Sequence, residues 1–245
     1  MLGVYFSGTG NTKFCIERFC HCFDGSVPLS IEDIGVAEMI NKSDEITLAY
    51  PVYYSSVPKI VKDFIRANKS CFVNKSVFII ATMGLFSGDG AGCEARLLKK
   101  CGAKIIGGLH IKMPDCIGDS KLLKKPLEEN RQLVKDAESK IAHAVDELKK
   151  GRPAKHGLGF ICHIAGLLGQ RLWFYNKTTK YTDKLKIDRN ACVGCGKCIS
   201  LCPMKNLFIE NQKALANGKC TMCYRCVNSC PHKAITLLGD EIIAQ

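Results

Sequence analysis

Cys192-Val-Gly-Cys195-Gly-Lys-Cys198-Ile-Ser-Leu-Cys202-Pro203 is followed, 28 residues on, by Cys220-Thr-Met-Cys223-Tyr-Arg-Cys226-Val-Asn-Ser-Cys230-Pro231. Both runs have the spacing C-x2-C-x2-C-x3-C-P, and the match continues past the cysteines: Lys205 pairs with Lys233, Leu207 with Ile235 and Ile209 with Leu237. The stretch is therefore a duplicated unit in which a short apolar strand follows each Cys-Pro. Two-residue gaps let three thiolates of one tight loop grip one face of a metal–sulfur cube, with loop amides pointing at its sulfurs. The proline after the fourth cysteine fixes φ and turns the chain away, so that cysteine does not reach the cube its own run holds. Disulfides are disfavoured, because the chain opens Met1-Leu-Gly-Val-Tyr-Phe6 with no export signal. Zinc is disfavoured too: it takes ligand pairs across a longer spacer, and a third and fourth cysteine per run are surplus to a tetrahedral site.

The doubled run resembles that of bacterial ferredoxins with two [4Fe–4S] clusters, in which the fourth cysteine crosses to the other cluster. The resemblance implies one cluster on Cys192, Cys195, Cys198 and Cys230, and a second on Cys220, Cys223, Cys226 and Cys202. It also implies a small α+β ferredoxin domain, expected over residues 184–245.

A chain of 245 residues has room for about two domains. Its 47% hydrophobic content excludes wholesale disorder. The formal charge is +12; two clusters of about −2 each bring it to roughly +8. The lysines are scattered without aromatic interleaving, which argues against nucleic acid. A solvated basic surface instead favours acidic redox partners. No stretch is long and apolar enough for a membrane span. Sixteen cysteines imply a reducing cytoplasm, and low-potential clusters suit an anaerobe. Cysteines 15, 20, 22, 71, 93, 101, 116 and 162 lack ligand spacing and read as small buried hydrophobes. The six histidines form no cluster, and no residue is assigned a catalytic role.

The N-terminal part alternates strands and helices. Leu2 to Phe6 is an apolar strand, and Lys13 to about Cys22 has helical spacing. Glu45 to Ala49 reads as a strand, Lys59 to Ala67 as a helix and Ser76 to Met83 as a strand. A helix from about Cys93 to Lys100 and a strand from Ala103 to Met113 follow. Pro126 opens a long helix with the stripe Leu133, Ala137, Ile141, Val145 and Leu148, ended by Gly151 and Pro153. Such alternation implies a parallel doubly wound sheet, with ligands at the carboxyl ends of its strands. Between the first strand and helix lies Ser7-Gly8-Thr9-Gly10-Asn11-Thr12, a glycine- and hydroxyl-rich loop suited to an anion. It has no Gly-Lys-Ser/Thr and fails the G-x-G-x-x-G spacing, so it fits a terminal phosphate monoester bound by neutral donors. Gly88-x-Gly90-x-Gly92 also has the wrong spacing for a nicotinamide fingerprint, and reads as a mobile loop.

The loop Ser7–Thr12 resembles the [ST]-x-T-G-x-[ST] phosphate loop of flavodoxins, in the same place after the first strand. That resemblance implies a flavodoxin-like FMN domain over residues 1–152. Ser7, Gly8, Thr9, Gly10, Asn11 and Thr12 would take the phosphate. Pro51, Val52, Tyr53 and Tyr54 would flank one side of the flavin ring, with Thr82, Met83, Gly84 and Phe86 on the other. Tyr53 or Tyr54 would stack on the ring, and Phe86 is the candidate for its outer face.

Residues 153–183 form a connector whose apolar stretch, His156 to Tyr175, holds the only tryptophan. Glycines and His163, Gln170 and Arg171 interrupt it. Docking between the two halves ranks first among its expected roles, homo-oligomer contact second and membrane-surface contact third. Together the halves resemble flavodoxin–ferredoxin fusion proteins. FMN takes two electrons and releases them singly, whereas each cluster carries one. The expected function is electron transfer between FMN, two clusters and redox partner proteins. The other expectation is a ferredoxin-fed reductase acting on a quinone, nitro compound or free flavin.

Overall fold

The computed structural model describes residues 1–86, 89–168 and 180–243. Continuous apolar runs, such as Val77-Phe-Ile-Ile-Ala81, are suited to strands buried on both faces. Five strands form from them: β1 (Leu2–Tyr5), β2 (Leu29–Ser30), β3 (Glu45–Pro51), β4 (Ser76–Met83) and β5 (Lys104–Lys112). They pair in parallel in the order β2-β1-β3-β4-β5. Successive side chains of β4 point to opposite faces. Ile79 joins Val4, Leu48, Val61, Ile65 and Leu98 in one core, while Phe78 and Ile80 join Ile16, Phe19, Ile141 and Val145 in the other.

The helices α1 (Asn11–Phe23) and α5 (Leu127–Lys149) cover the second face. On the first lie α2 (Val36–Lys42), α3 (Lys59–Ala67) and α4 (Gly90–Lys100). The strand order reverses between β1 and β3, and such a switch point opens a crevice at the carboxyl edge of a sheet. Helix α3 and strand β4 have the limits expected from the sequence. Strand β2 and helix α2 carry too few residues for periodicity to reveal. In α5 the buried stripe is Asn130, Ala137, Ile141, Ala144 and Val145; Leu133 lies outside it. Gly151, at φ 75°, ends that helix in the left-handed conformation.

A helix α6 (Phe160–Gly166) belongs to the connector. Its His163 ring lies 3.1 Å from a carboxylate oxygen of buried Asp89 at the start of α4, which docks this part of the connector on the sheet domain. The rest of the apolar stretch, with Trp173, Gln170 and Arg171, lies outside the described residues, as does Gly88. Among the described residues no helix is long and apolar enough to cross a membrane.

The cysteine-rich half repeats itself in three dimensions. Short helices span Lys197–Leu201 and Arg225–Ser229, offset by the same 28 residues as the cysteines. Leu207–Glu210 pairs with Lys213–Ala216 in a hairpin, and Ile235–Thr236 pairs antiparallel with Lys186–Ile187. Each Cys-Pro is thus followed by a strand, and Lys205 and Lys233 take matching left-handed turns at φ 47° and 51°. Leu185, Leu207, Tyr224, Val227, Ile235 and Leu237 form the core between them.

Candidate functional site

The crevice at the carboxyl ends of β1, β3 and β4 is an open cleft of about 240 Å³. Ser7, Gly8, Thr9, Asn11 and Thr12 line it, with Pro51, Val52, Tyr53, Tyr54, Thr82, Met83, Gly84 and Phe86. Gly10 is not in the wall: it supplies the left-handed turn (φ 108°) that starts α1. Phe14 is the first residue of α1 to donate backward, to the Gly10 carbonyl at 2.9 Å. The amides of Asn11, Thr12 and Lys13 ahead of it have no acceptor within the helix, and the positive end of the helix dipole faces the same place.

Part of the expected donor set is engaged by the protein itself. The Asn11 side chain donates to the Pro114 carbonyl at 2.7 Å, the Thr12 and Thr82 hydroxyls share a buried hydrogen bond of 2.7 Å, and Ser7 Oγ accepts from the Gly10 amide. These contacts fix the loop's shape and leave its backbone amides, with the Ser7 O–H, free to donate to an anion. After β3 the chain makes a tight turn in which Tyr53 and Ser56 exchange backbone hydrogen bonds of 3.0 and 2.9 Å. Tyr54 and Ser55 at its tip adopt φ 49° and 53°, a conformation costly for side-chain-bearing residues. The Tyr53 hydroxyl is buried with no hydrogen-bond partner among the described residues, and burial holds it neutral. Leu85 and Phe86 stand exposed at the rim.

The loop after β5 adds Met113, Pro114, Asp115, Cys116 and Ile117 to the wall. Sequence reasoning missed this loop, although Pro114 directly follows a strand and so marks a fourth carboxyl-end connection. Cys116 is part of the cleft rather than a plain core residue, and burial pushes its thiol up to about 11. Cys15 and Cys20 do sit in the core, as expected. Met222, Tyr224 and Leu238, from the cysteine-rich half, complete the wall.

The eight cysteines of the doubled run gather around two small cavities. Cys192, Cys195, Cys198 and Cys230 line one, and Cys202, Cys220, Cys223 and Cys226 the other. Each set thus takes three cysteines from one run and the fourth from the other. Amides point at their sulfurs: Asn206 donates to Cys202 Sγ at 3.3 Å and Ala234 to Cys230 Sγ at 3.4 Å, the same bond in both copies. Ala214 and Met222 donate to Cys192 and Cys220. Burial, and then the neighbouring thiols Cys192, Cys195 and Cys230, raise Cys198; burial, then Cys223, Cys220 and Cys202, raise Cys226. Thiols that hinder one another's ionisation in this way lose their protons on binding metal. Among the described residues no Cys, His, Asp or Glu side chains converge closely enough for a single metal ion. All-thiol sets of four are the ligand type that iron–sulfur cubes take.

The two sites share a seam. Arg225 donates to the Ser7 carbonyl at 2.7 Å and the Gly8 carbonyl at 3.1 Å, and pairs with Glu32 at 2.9 Å. A Cβ on Gly8 would collide with the Cys223 carbonyl and approach the Tyr53 hydroxyl at 3.3 Å, so the anion loop and the second cysteine loop are in direct contact. Buried Asp119 accepts from the Leu237 and Leu238 amides at 2.6 and 2.9 Å and from the Tyr224 hydroxyl at 3.0 Å. Asn228 donates to the Cys116 carbonyl.

A family described as a flavodoxin domain matches residues 2–105, and one described as a 4Fe-4S dicluster domain matches residues 184–235. Solved structures similar to the chain include a flavodoxin from the domain Archaea, 18% identical over 59% of this chain and 97% of that one, with a TM-score of 0.41. A two-electron reduced flavodoxin from Megasphaera elsdenii is 19% identical over 59% of this chain and 100% of its own, with a TM-score of 0.41. The Fusobacterium nucleatum flavodoxin bound to flavin mononucleotide is 14% identical over 61% and 96%, with a TM-score of 0.43. No curated protein matches the chain. The two family matches, in this order along one polypeptide, make the chain a flavodoxin–ferredoxin fusion, an iron–sulfur flavoprotein of electron transfer.

Proposed function

We propose that the protein is an adaptor between two-electron and one-electron redox partners. In this reading the Ser7–Thr12 loop holds the phosphate of FMN and the rest of the cleft its ring. The sets Cys192/Cys195/Cys198/Cys230 and Cys202/Cys220/Cys223/Cys226 each hold a [4Fe–4S] cluster. The observation that carries it is the common wall: Met222 and Tyr224 belong to the loop between Cys220 and Cys226, yet line the flavin cleft. Bound flavin exchanges electrons in pairs or singly, and each cluster carries one. The residues of the chain orient and insulate. Arg225 fixes the cysteine loop against the phosphate loop, and Tyr53, Met222 and Tyr224 exclude water between the two cofactors. The basic surface favours acidic protein partners.

Anaerobic reductive titration, followed by visible absorption and EPR, tests the reading. Uptake of about four electrons per chain, two by a flavin and one by each of two clusters, is expected. About two, with cluster signals alone, would show that the cleft is not a flavin site.

A second reading, a reductase fed through the clusters, draws on one observation. The carboxyl-bearing Asp115 lines the cleft, beside an open rim at Leu85 and Phe86. Steady reduction of a quinone, a nitro compound or free flavin by the holoprotein supplied with reduced ferredoxin would favour it over pure electron carriage.

A further inference from the structure

Superimposing the two cysteine runs at their 28-residue offset shows that four of the differences between the copies share one direction. Gly194, Gly196, Lys197 and Ser200 of the first become Met222, Tyr224, Arg225 and Asn228 of the second. The backbone does not change with them. Gly194 and Gly196 sit at φ 69° and 75°, and Met222 and Tyr224 at 60° and 62°. Left-handed backbone suits glycine and disfavours a side chain. The second copy thus carries two side chains against its backbone's preference, and what they touch supplies the reason. Met222 and Tyr224 wall the flavin cleft, and Tyr224 also donates to Asp119. Arg225 grips the Ser7 and Gly8 carbonyls and Asn228 the Cys116 carbonyl. All four replacements face the flavodoxin half.

Of their counterparts, Gly194 packs its backbone against the Gln212 carbonyl, and among the described residues none of the four touches the flavodoxin half. Lys197 and Ser200 are exposed, as is Cys195 between the two glycines, and Val193 beside it is 55% exposed. In the second set Cys220, Cys223 and Cys226 are all buried. A symmetric cofactor carrier has therefore been built into an asymmetric position, one end sealed against the cleft and the other open.

We propose that the cluster on Cys202, Cys220, Cys223 and Cys226 is the relay beside the flavin. The cluster on Cys192, Cys195, Cys198 and Cys230 is the outlet, where an acidic one-electron protein docks. The proposal rests on the cofactor assignment above and adds the order to it. Electron tunnelling weakens steeply with separation, so the set in contact with Gly8 and Tyr53 is the one coupled to the cleft. In the forward direction, each of the two electrons held by a reduced flavin passes through the Cys223 set and then the Cys195 set. It ends on the external protein, which is the oxidant; the flavin's protons go to water. In reverse the external protein is the reductant. The outlet's surroundings fit an acidic partner. Lys197 and His232 line the cavity of the first set, and Arg189 and Lys233 lie exposed beside it in the chain.

The test uses the full-length anaerobic holoprotein with Cys195→Ala or Cys223→Ala, each characterised first for flavin and iron content. The flavin is reduced by a light flash and the fast appearance of a reduced cluster is followed by absorption and EPR. Cys195→Ala is expected to keep the fast phase, whereas Cys223→Ala slows it 100-fold or more. The opposite pattern overturns the order. Should either variant fail to assemble a cluster, the unaltered protein decides. An iron chelator is expected to strip the exposed set first, and the fast phase should survive loss of the first half of the iron. Its disappearance with that first half overturns the proposal. Unaltered protein that holds no flavin, or only one cluster, contradicts the cofactor assignment itself, and so is distinguishable from a wrong order.

Discussion

Two buried carboxyls show how differently the same group is used at the scale of a residue. Burial alone would raise Asp119, but the Leu237, Gly239 and Leu238 amides and the Tyr224 hydroxyl stabilise its charge and hold its pKa below the usual carboxylate value. A lowered native pKa makes a contribution that is present above the unfolded value of about 3.9 and lost as pH falls through the native one. Asp119 should therefore hold the ferredoxin half in place at neutral pH and release it in acid. Asp119→Ala orphans those amides and the Tyr224 phenol and should cost roughly 2–4 kcal/mol, measured by denaturant unfolding at pH 7. An unchanged midpoint would show that the seam does not depend on it. Glu94 is the opposite case. It is wholly buried, neither oxygen has a hydrogen-bond partner among the described residues, and burial lifts its pKa well above the ordinary range. A raised native pKa on an acid means stability that is intact below the unfolded value of about 4.3 and declines as pH rises above it. Glu94→Gln should therefore flatten the fall in stability toward alkaline pH, as read from thermal midpoints between pH 5 and 9 at about one-unit steps. A slope equal to the parent's would mean that Glu94 is solvated or paired in solution.

At the scale of the element, the phosphate loop serves two neighbours at once. Its amides face the cleft while Gly8 packs its backbone on the Cys223 carbonyl. Gly8→Ala inserts one methyl group where there is no room, so either the loop or the cysteine run must shift. Overpacking of this kind costs about 1–3 kcal/mol. The expected outcome is weaker FMN retention together with faster chelation of the buried cluster's iron, measured on the same sample. FMN loss without any change at the cluster would place the strain in the cleft alone. This coupling also marks the limit of what the sequence could reveal. The sheet was legible because its strands are long apolar runs, and Lys59–Ala67 and Ser76–Met83 could be delimited to the residue. The two cysteine runs were legible because their spacing is chemical, whereas the crossing of each fourth cysteine rested on the ferredoxin resemblance. Strand β2 was invisible because two residues carry no period. The engagement of Asn11 with Pro114 was invisible because it joins residues 103 apart along the chain. The exchange of Gly194 and Gly196 for Met222 and Tyr224, in contrast, stood in the sequence from the start. It acquired meaning only once the backbone proved left-handed in both copies and the cleft lay against one of them.

At the scale of the whole molecule, charge decides how the outlet meets its partner. The formal charge of +12 falls to roughly +8 with both clusters loaded, so the chain remains a strong cation around its negative centres. Charges of this size accelerate encounter with an oppositely charged protein at low salt and are screened beyond about 10 Å at 0.1 M. Electron transfer to an acidic one-electron carrier should therefore slow tenfold or more as ionic strength rises from about 10 mM to about 0.5 M. Transfer within the chain should not respond, because the seam of Arg225, Gly8 and Tyr224 is fixed by direct hydrogen bonds within one chain. Lys197 and Lys233 are exposed at and beside the outlet. Lys197→Glu with Lys233→Glu should lower the second-order rate at low salt and shrink its salt dependence, leaving iron and flavin content as in the parent. The decisive comparison is with Lys100→Glu and Lys104→Glu, which change the net charge equally on exposed positions of the flavodoxin half away from the cleft. If both pairs slowed the carrier alike, the effect would belong to overall charge. A slowing confined to Lys197 and Lys233 would locate the encounter at the Cys195 end of the molecule.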